Sequence, residues 1–236
     1  KTPVISKDSG MYENEFTVSI VCPTEGVKIY YTLDGNQPSI SGGILYTGPF
    51  VVGRPLTLSV IAVKDGLSDS FVAMKTYGFV VAEPVVNTAA GMYYNAITVA
   101  AACDTAGARL YYTLDGTSPL YHGRLYVGPI TIDRSVQLRI VAVKTDWQDS
   151  PVSSVLYRMK VDKPLIRYRQ ESGYTVVEIS TRTVGSSIQY HFPSDYYWRN
   201  YSYAFSITKS ENMVAIAKRD GFEDSDAVSW YIEVLP

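Results

Sequence analysis

The chain has 236 residues, of which 46% are hydrophobic and 19% charged, and its formal net charge is −2. This composition is typical of a folded globular protein and excludes an intrinsically disordered chain. The balanced charge, with no run of like charges, argues against nucleic-acid binding, and the lack of an apolar run of about 18 residues argues against membrane insertion.

The sequence repeats itself after 81 positions, and a weaker third copy follows. The copies are clearest in three pairs of segments: "GMYENEFTVSIVC" (10–22) and "GMYYNAITVAAAC" (91–103), "IYYTLDG" (29–35) and "LYYTLDG" (110–116), and "LSVIAVKDGLSDSFV" (58–72) and "VAIAKRDGFEDSDAV" (214–228). The repeat predicts two similar modules, residues 1–82 and 83–162, and a divergent third module, residues 163–236.

Each module begins with a proline and two apolar residues, and apolar residues then alternate with polar ones. In "FTVSIVC" (16–22), the residues predicted to face inward are Phe16, Val18, Ile20 and Cys22. Turn signals such as "TEG", "DGNQP" and "KDG" separate these runs. The pattern predicts six or seven short strands per module, so the predicted fold is all-β. Three tandem immunoglobulin-like β-sandwiches would form an elongated array.

The repeated heptad ends in Asp-Gly, at Asp34-Gly35 and again at Asp115-Gly116. An aspartate accepts hydrogen bonds from backbone N–H groups two residues on, and glycine adopts positive φ at low cost. We therefore interpret these four residues as structural turns that follow a strand, rather than as catalytic or calcium-binding groups.

Cys22 and Cys103 are 81 positions apart and therefore occupy equivalent places in two modules. A disulfide between equivalent interior positions of separate modules is geometrically implausible. The sequence thus predicts two reduced cysteines, each buried in the core of its own module.

The combination of "YYTLDGxxP", "LYxGP" and "AVKxxxxDS" resembles the chitobiase/β-hexosaminidase C-terminal-type module, whose close variants are described as fibronectin-III-associated. The resemblance covers most of the first two copies and the last half of the third. It implies a small immunoglobulin-like sandwich that commonly follows a glycoside hydrolase domain or occurs in tandem in surface proteins. It also implies that the module is not itself catalytic.

A search for catalytic and cofactor motifs finds none that is complete. His122 and His191 lack a second His or Cys at metal-ligand spacing, and the chain has no phosphate-binding glycine loop and no nucleophile elbow. We therefore predict a protein that is not an enzyme, with no catalytic residue, no metal site and no cofactor.

The segment "DYYWRNYSY" (195–203) concentrates aromatic residues in the third module. Tyr203 aligns with Tyr46 and Tyr126 and is predicted to be a core residue. The remaining aromatic residues have no counterpart, and with the planar donor Arg199 they are the candidate binding residues for a protein or glycan: Tyr196, Tyr197, Trp198, Arg199 and Tyr201. The alternative is an aromatic cover over the end of the module.

One loop carries an apolar residue in every copy, at Leu67, Trp147 and Phe222, and an Asp-Ser pair follows it. We interpret the apolar residue as a packing plug. The Asp-Ser pair is interpreted as a turn that begins the last strand.

Three functions are consistent with these patterns. The first is a non-catalytic spacer or protein-interaction scaffold within a longer protein, with adjoining domains or another protein as partner. The second is a carbohydrate-binding accessory region of a secreted glycoside hydrolase or surface protein, and the third is an intracellular eukaryotic scaffold. An extracellular or cell-surface location is favoured over the cytoplasm.

Overall fold

The computed structural model describes residues 1–195 and 197–236. The strands of the first module are β1 (Val4–Ile5), β2 (Gly10–Tyr12), β3 (Phe16–Val18), β4 (Ile20–Val21), β5 (Lys28–Thr32), β6 (Ile44–Leu45), β7 (Phe50–Val52), β8 (Leu56–Val63) and β9 (Ala73–Phe79). The second module contains β10 (Val85–Val86), β11 (Gly91–Tyr93), β12 (Ile97–Val99), β13 (Ala101–Ala102), β14 (Arg109–Thr113), the short helix α1 (Pro119–His122), β15 (Arg124–Leu125), β16 (Ile130–Ile132), β17 (Val136–Val143) and β18 (Ser153–Met159).

The third module contains β19 (Leu165–Glu171), β20 (Tyr174–Ser180), β21 (Ser187–His191), β22 (Arg199–Tyr201), β23 (Phe205–Ile207), β24 (Glu211–Lys218) and β25 (Val228–Ile232). The all-β prediction is confirmed. The short helix α1 was not predicted, and it begins with a proline at the first helical position, where the missing N–H has no cost. No helix in the described part of the chain has the length and apolar character that crossing a bilayer requires.

The first two modules have the same sheet arrangement. A five-stranded sheet, in the order β2-β9-β8-β5-β6 or β11-β18-β17-β14-β15, lies opposite two antiparallel pairs, β1-β4 and β3-β7 or β10-β13 and β12-β16. The third module pairs a four-stranded sheet, β22-β21-β24-β25, with a three-stranded sheet, β19-β20-β23. Apolar side chains from both layers form the core, as a sandwich requires.

In each of the first two modules, the second strand runs parallel to the last strand and pairs with it. Strand β2 pairs with β9 in the register Gly10↔Tyr77, and β11 pairs with β18 in the register Gly91↔Tyr157. The chain therefore enters and leaves each of these modules in the same direction. Among the described residues of the third module, all strand pairs are antiparallel.

Tyr77 and Tyr157 lie at the same place in the first two cores, and both side chains are fully buried. The Tyr77 hydroxyl donates to the carbonyl of Lys7 (3.0 Å), and the Tyr157 hydroxyl donates to that of Thr88 (2.8 Å). Burial raises the pKa of Tyr77 to about 12 and also raises the pKa of Tyr157.

The prediction of buried cysteines is wrong, although both thiols are free. Cys22 and Cys103 are each half-buried. Each cysteine follows a strand, and its Sγ donates to a backbone carbonyl. The acceptor of Cys22 is Lys1 (3.3 Å), and that of Cys103 is Ala82 (3.2 Å), at the boundary between the first two modules. The alternation that predicted inward-facing cysteines therefore does not bury either one in its own module's core, and Cys103 packs on the core of the first module instead.

The prediction that Tyr203 is a core residue is also wrong, since its side chain is 80% exposed. Tyr201 takes the place of Tyr46 instead. In the first module Tyr46 follows the Tyr30↔Leu45 pair and so lies beside Ile29, and in the third module Tyr201 pairs with Ile188. The shorter hairpin of the third module shifts the register by two residues, which the comparison of residue types did not reveal.

Candidate functional surfaces

The Asp-Gly corners are closed turns in which each carboxylate has a local partner. Asp34 Oδ1 accepts from the Asn36 N–H (3.0 Å), and Asp115 Oδ1 accepts from the Thr117 N–H (3.0 Å) and hydroxyl (2.6 Å). Gly35 and Gly116 have φ of 82° and 78°. The bond from the Asn36 backbone lowers the pKa of Asp34, and the bonds from the Thr117 side chain and backbone lower that of Asp115.

An open cleft of about 720 Å³ lies beside the second of these corners. Asp115, His122 and Arg124 line it together with backbone and side chains of 131–136. His122 reaches the cleft because α1 replaces the loop that the first module has at this place. Among the described residues, no three His, Cys, Asp or Glu side chains are grouped as a metal site would require.

The aromatic segment of the third module divides between two faces of a sheet. Tyr196 lies outside the described residues. Tyr197 and Trp198 are 61% and 44% exposed, and the Trp198 ring contacts the His191 ring edge-on, with centroids 4.4 Å apart. Tyr201 is half-buried against the core, so it does not share an exposed surface with Trp198.

Strand β22 explains the division, because successive strand residues point to opposite faces. Arg199 pairs with buried Tyr190, whereas Asn200 pairs with Gln189 on the outer face. Arg199 therefore lies on the other side from Trp198, where it forms an ion pair with Asp195 (3.0 Å).

The surface on the outer side of this sheet, which we call the Trp198 surface, consists of Trp198, His191, Gln189 and Asn200. The Gln189 Nε2 donates to the Asn200 Oδ1 (3.0 Å), so two amide groups stand beside an exposed ring. The sequence indicated Trp198 but not its neighbours on the surface, which come from another strand.

Trp147 packs on the core of the neighbouring first module. It is 7% exposed, and its ring lies 4.5 Å from the Phe79 ring of the first module. The indole Nε1–H donates to the carbonyl of Gly53 (3.0 Å), and the Lys144 ammonium lies 4.0 Å from the indole ring centroid. The predicted plug is therefore a contact between two modules.

Hydrogen bonds surround this inserted tryptophan. The Thr105 hydroxyl donates to the carbonyl of Glu13 (3.0 Å) and accepts from the Ala82 N–H (2.9 Å). The Gln148 N–H donates to the carbonyl of Phe79 (2.9 Å), and its carbonyl accepts from the Val81 N–H (2.9 Å). We call this set, with Trp147 and Gly53, the first joint.

The contact between the second and third modules repeats this arrangement. The Thr183 hydroxyl donates to the carbonyl of Tyr94 (2.7 Å) and accepts from the Asp162 N–H (2.8 Å). The Glu223 N–H donates to the carbonyl of Met159 (2.7 Å), and its carbonyl accepts from the Val161 N–H (2.9 Å). Phe222 takes the place of Trp147 and packs on the core of the second module. We call this set the second joint.

The loop that forms each joint is held by the serine of the Asp-Ser pair. In all three modules the serine hydroxyl accepts from a backbone N–H at 2.9 Å and donates to a carbonyl one residue on: Ala62 and Phe71 for Ser70, Ala142 and Pro151 for Ser150, and Ala217 and Asp226 for Ser225. The serine therefore shapes the loop, in agreement with the turn interpretation.

Comparison with known proteins agrees with the repeat. The model of the chitobiase/beta-hexosaminidase C-terminal domain family matches residues 7–75 and 88–154. No curated protein sequence matches the chain.

Solved structures with similarity to the chain include two with fibronectin-type modules. The crystal structure of the chicken CNTN1 FN1-FN3 domains has 11% sequence identity and a TM-score of 0.25, over 100% of this chain and 98% of that one. Structures of Clostridium thermocellum CbhA fibronectin(III)-like modules have 14% identity and a TM-score of 0.25, over 67% of this chain and 94% of that one.

Proposed function

Because the chain belongs to the chitobiase/beta-hexosaminidase C-terminal domain family, we propose that it is a non-catalytic accessory array that acts as a spacer. Its units are the modules at residues 1–82, 83–162 and 163–236. In this role the array holds adjoining domains of a longer protein at a set separation. The observation that carries the proposal is the repeated joint.

A spacer must resist bending where one module meets the next, and modules linked only by a short peptide move freely. The joints oppose such motion in two ways. An aromatic side chain is inserted into the neighbouring module, and four hydrogen bonds, two from the loop and two from a threonine, fix the direction of approach. The threonine is buried in both joints, at Thr105 and Thr183, so these bonds are shielded from water.

The test is the distribution of distances between spin labels on the first two modules. Labels are attached to Phe71→Cys and Val127→Cys, both at exposed positions, after Cys22→Ser and Cys103→Ser remove the native thiols. We expect pulsed electron–electron double resonance to give a single narrow distribution of distances between the two labels.

Breaking the first joint with Trp147→Ala should broaden that distribution about two-fold, because the modules then move independently. The matched control is Phe222→Ala, which breaks the second joint and should leave the distribution between these labels unchanged. A distribution as broad in the unmodified joint as in Trp147→Ala would contradict the spacer proposal.

Carbohydrate binding at the Trp198 surface is a second candidate, favoured by the half-exposed ring beside two side-chain amides. Sugar rings stack their C–H faces on aromatic planes, and amides bond their hydroxyl groups. Binding to an oligosaccharide array should be lost with Trp198→Ala. It should persist with Trp230→Ala, which removes a similarly exposed tryptophan elsewhere on the module; equal binding by both variants would exclude this surface.

A further inference from the structure

The first module also has the joint-forming loop, and no module of the described chain packs on it. Leu67 occupies the position of Trp147 and Phe222 but is 60% exposed. Its loop is the same, since the Leu67 N–H donates to the Lys64 carbonyl (3.0 Å) as the Trp147 N–H donates to that of Lys144 (3.1 Å). The loop conformation therefore forms whether or not a second module covers it.

The hydrogen-bonding groups of the joint are also in place and free. Thr24 is the counterpart of Thr105 and Thr183, and its hydroxyl accepts from the Lys1 nitrogen (3.0 Å), as theirs accept from Ala82 and Asp162. Among the described residues, Thr24 has no acceptor for its own hydroxyl proton, and Ser68 has no backbone partner at the place of Gln148 and Glu223. The Leu67 side chain and three polar groups, namely the Thr24 hydroxyl and the N–H and carbonyl of Ser68, thus face solvent in the geometry of a joint.

We propose that this face of the first module, defined by Thr24, Leu67 and Ser68, binds another module of the same fold, at the end of that module where its last strand finishes. The occupant must supply what the first two modules supply in the joints: an apolar residue followed by an extended segment, as at 79–81 and 159–161, and a free carbonyl, as at Glu13 and Tyr94. The inference goes beyond the spacer function, because such a face would bind a module end whatever the array holds.

The third module of a second copy is a poorer occupant. In that module, Thr175 stands at the register position of Phe16 and Ile97. Thr175 is buried, and its hydroxyl donates to the carbonyl of Glu233 (2.6 Å) within its own module. The third module therefore has a polar residue at a position where Phe16 and Ile97 pack on the clusters that Trp147 and Phe222 join.

The test places a suitable module end next to the face. A fusion protein carries an additional copy of residues 82–161 directly before Lys1. The copied Val161 then precedes Lys1, just as Val161 precedes Asp162 in the second joint of the native chain. Hydrogen exchange of the Ser68 amide is then followed by mass spectrometry in the peptide 64–71, whose sequence remains unique in the fusion. The Glu223 amide, bonded in the second joint, reports that the fold is intact.

We expect Ser68 to exchange at least about ten-fold more slowly in the fusion than in the native chain, because its N–H gains a carbonyl partner. Leu67→Asp should restore fast exchange in the fusion and change nothing in the native chain. Equal Ser68 rates in the two proteins, with Glu223 still protected, would overturn the proposal. Protection of Ser68 in the native chain that grows with protein concentration would also overturn it, since the occupant would then be a second copy.

Discussion

Asp115 shows what a single carboxylate does at a corner. Its hydrogen bonds from Thr117 favour the charged form, so the pKa in the folded state lies below the ordinary value of 3.8. A lowered folded pKa means that the contribution to stability is complete above that ordinary value and is lost as the pH falls through the folded pKa.

We therefore predict that Asp115→Ala lowers the thermal midpoint of the second module by a constant amount above about pH 5. The difference from the native chain should shrink at more acid pH, where the native carboxylate becomes protonated. Melting curves of both proteins, recorded at intervals of about one pH unit between about pH 2 and pH 7, measure this difference in thermal midpoint. A difference that persists undiminished at the acid end would show that the turn does not depend on the charge.

Tyr77 gives a residue-scale test at the opposite end of the pH range. Its pKa is raised to about 12 by burial, so the stability that the neutral phenol provides is complete below pH 10.0 and is lost as the pH rises toward 12. We predict that Tyr77→Phe costs about 1 kcal/mol at neutral pH, for the lost bond to Lys7. The variant should also lose less stability than the native chain between these two values, as denaturant unfolding would show. Tyr157→Phe serves as the matched variant in the second module.

At the scale of elements, alternation along the sequence located the strands but not the surface that each loop residue touches. Trp147 was predicted to pack, and it does, yet its partner is Phe79 of another module. Sequence periodicity predicts that a side chain is buried, but it does not predict which module buries it. The same limit applies to Trp198, whose neighbours His191 and Gln189 come from an adjacent strand that only the hairpin register brings close.

The three equivalent loops make a controlled substitution series. We predict that Trp147→Ala lowers the free energy of unfolding by about 3 kcal/mol or more, because a buried aromatic side chain is removed from the first joint. Leu67→Ala, at the same position in the uncovered loop, should change it by less than about 0.5 kcal/mol. Denaturant titrations of the two variants check the pair, and similar losses in both would mean that the residue stabilises its own loop rather than the joint.

For the whole molecule, the repeat of 81 residues was enough to predict tandem sandwiches, and the family match agrees with it. The joints were not predicted, although their residues recur in the sequence. In the sequence, Thr24 lies in the turn signal "TEG", Thr105 and Thr183 occupy the equivalent positions, and a threonine in a loop is usually solvated. Their role requires a carbonyl from the preceding module, which no pattern within one copy specifies.

The parallel pairing of the second and last strands in the first two modules has a mechanical consequence. When the two ends of the chain are pulled apart, β2 and β9 slide past each other along their length, so their hydrogen bonds are loaded in shear and must break together. The same holds for β11 and β18. The third module has no such pair among its described residues, and its antiparallel strand pairs are not loaded in this way. Single-molecule stretching should therefore show the third module rupturing at the lowest force and the first two at similar, higher forces. A first rupture that releases the contour length of the first or the second module would show that tension reaches these strands by another route.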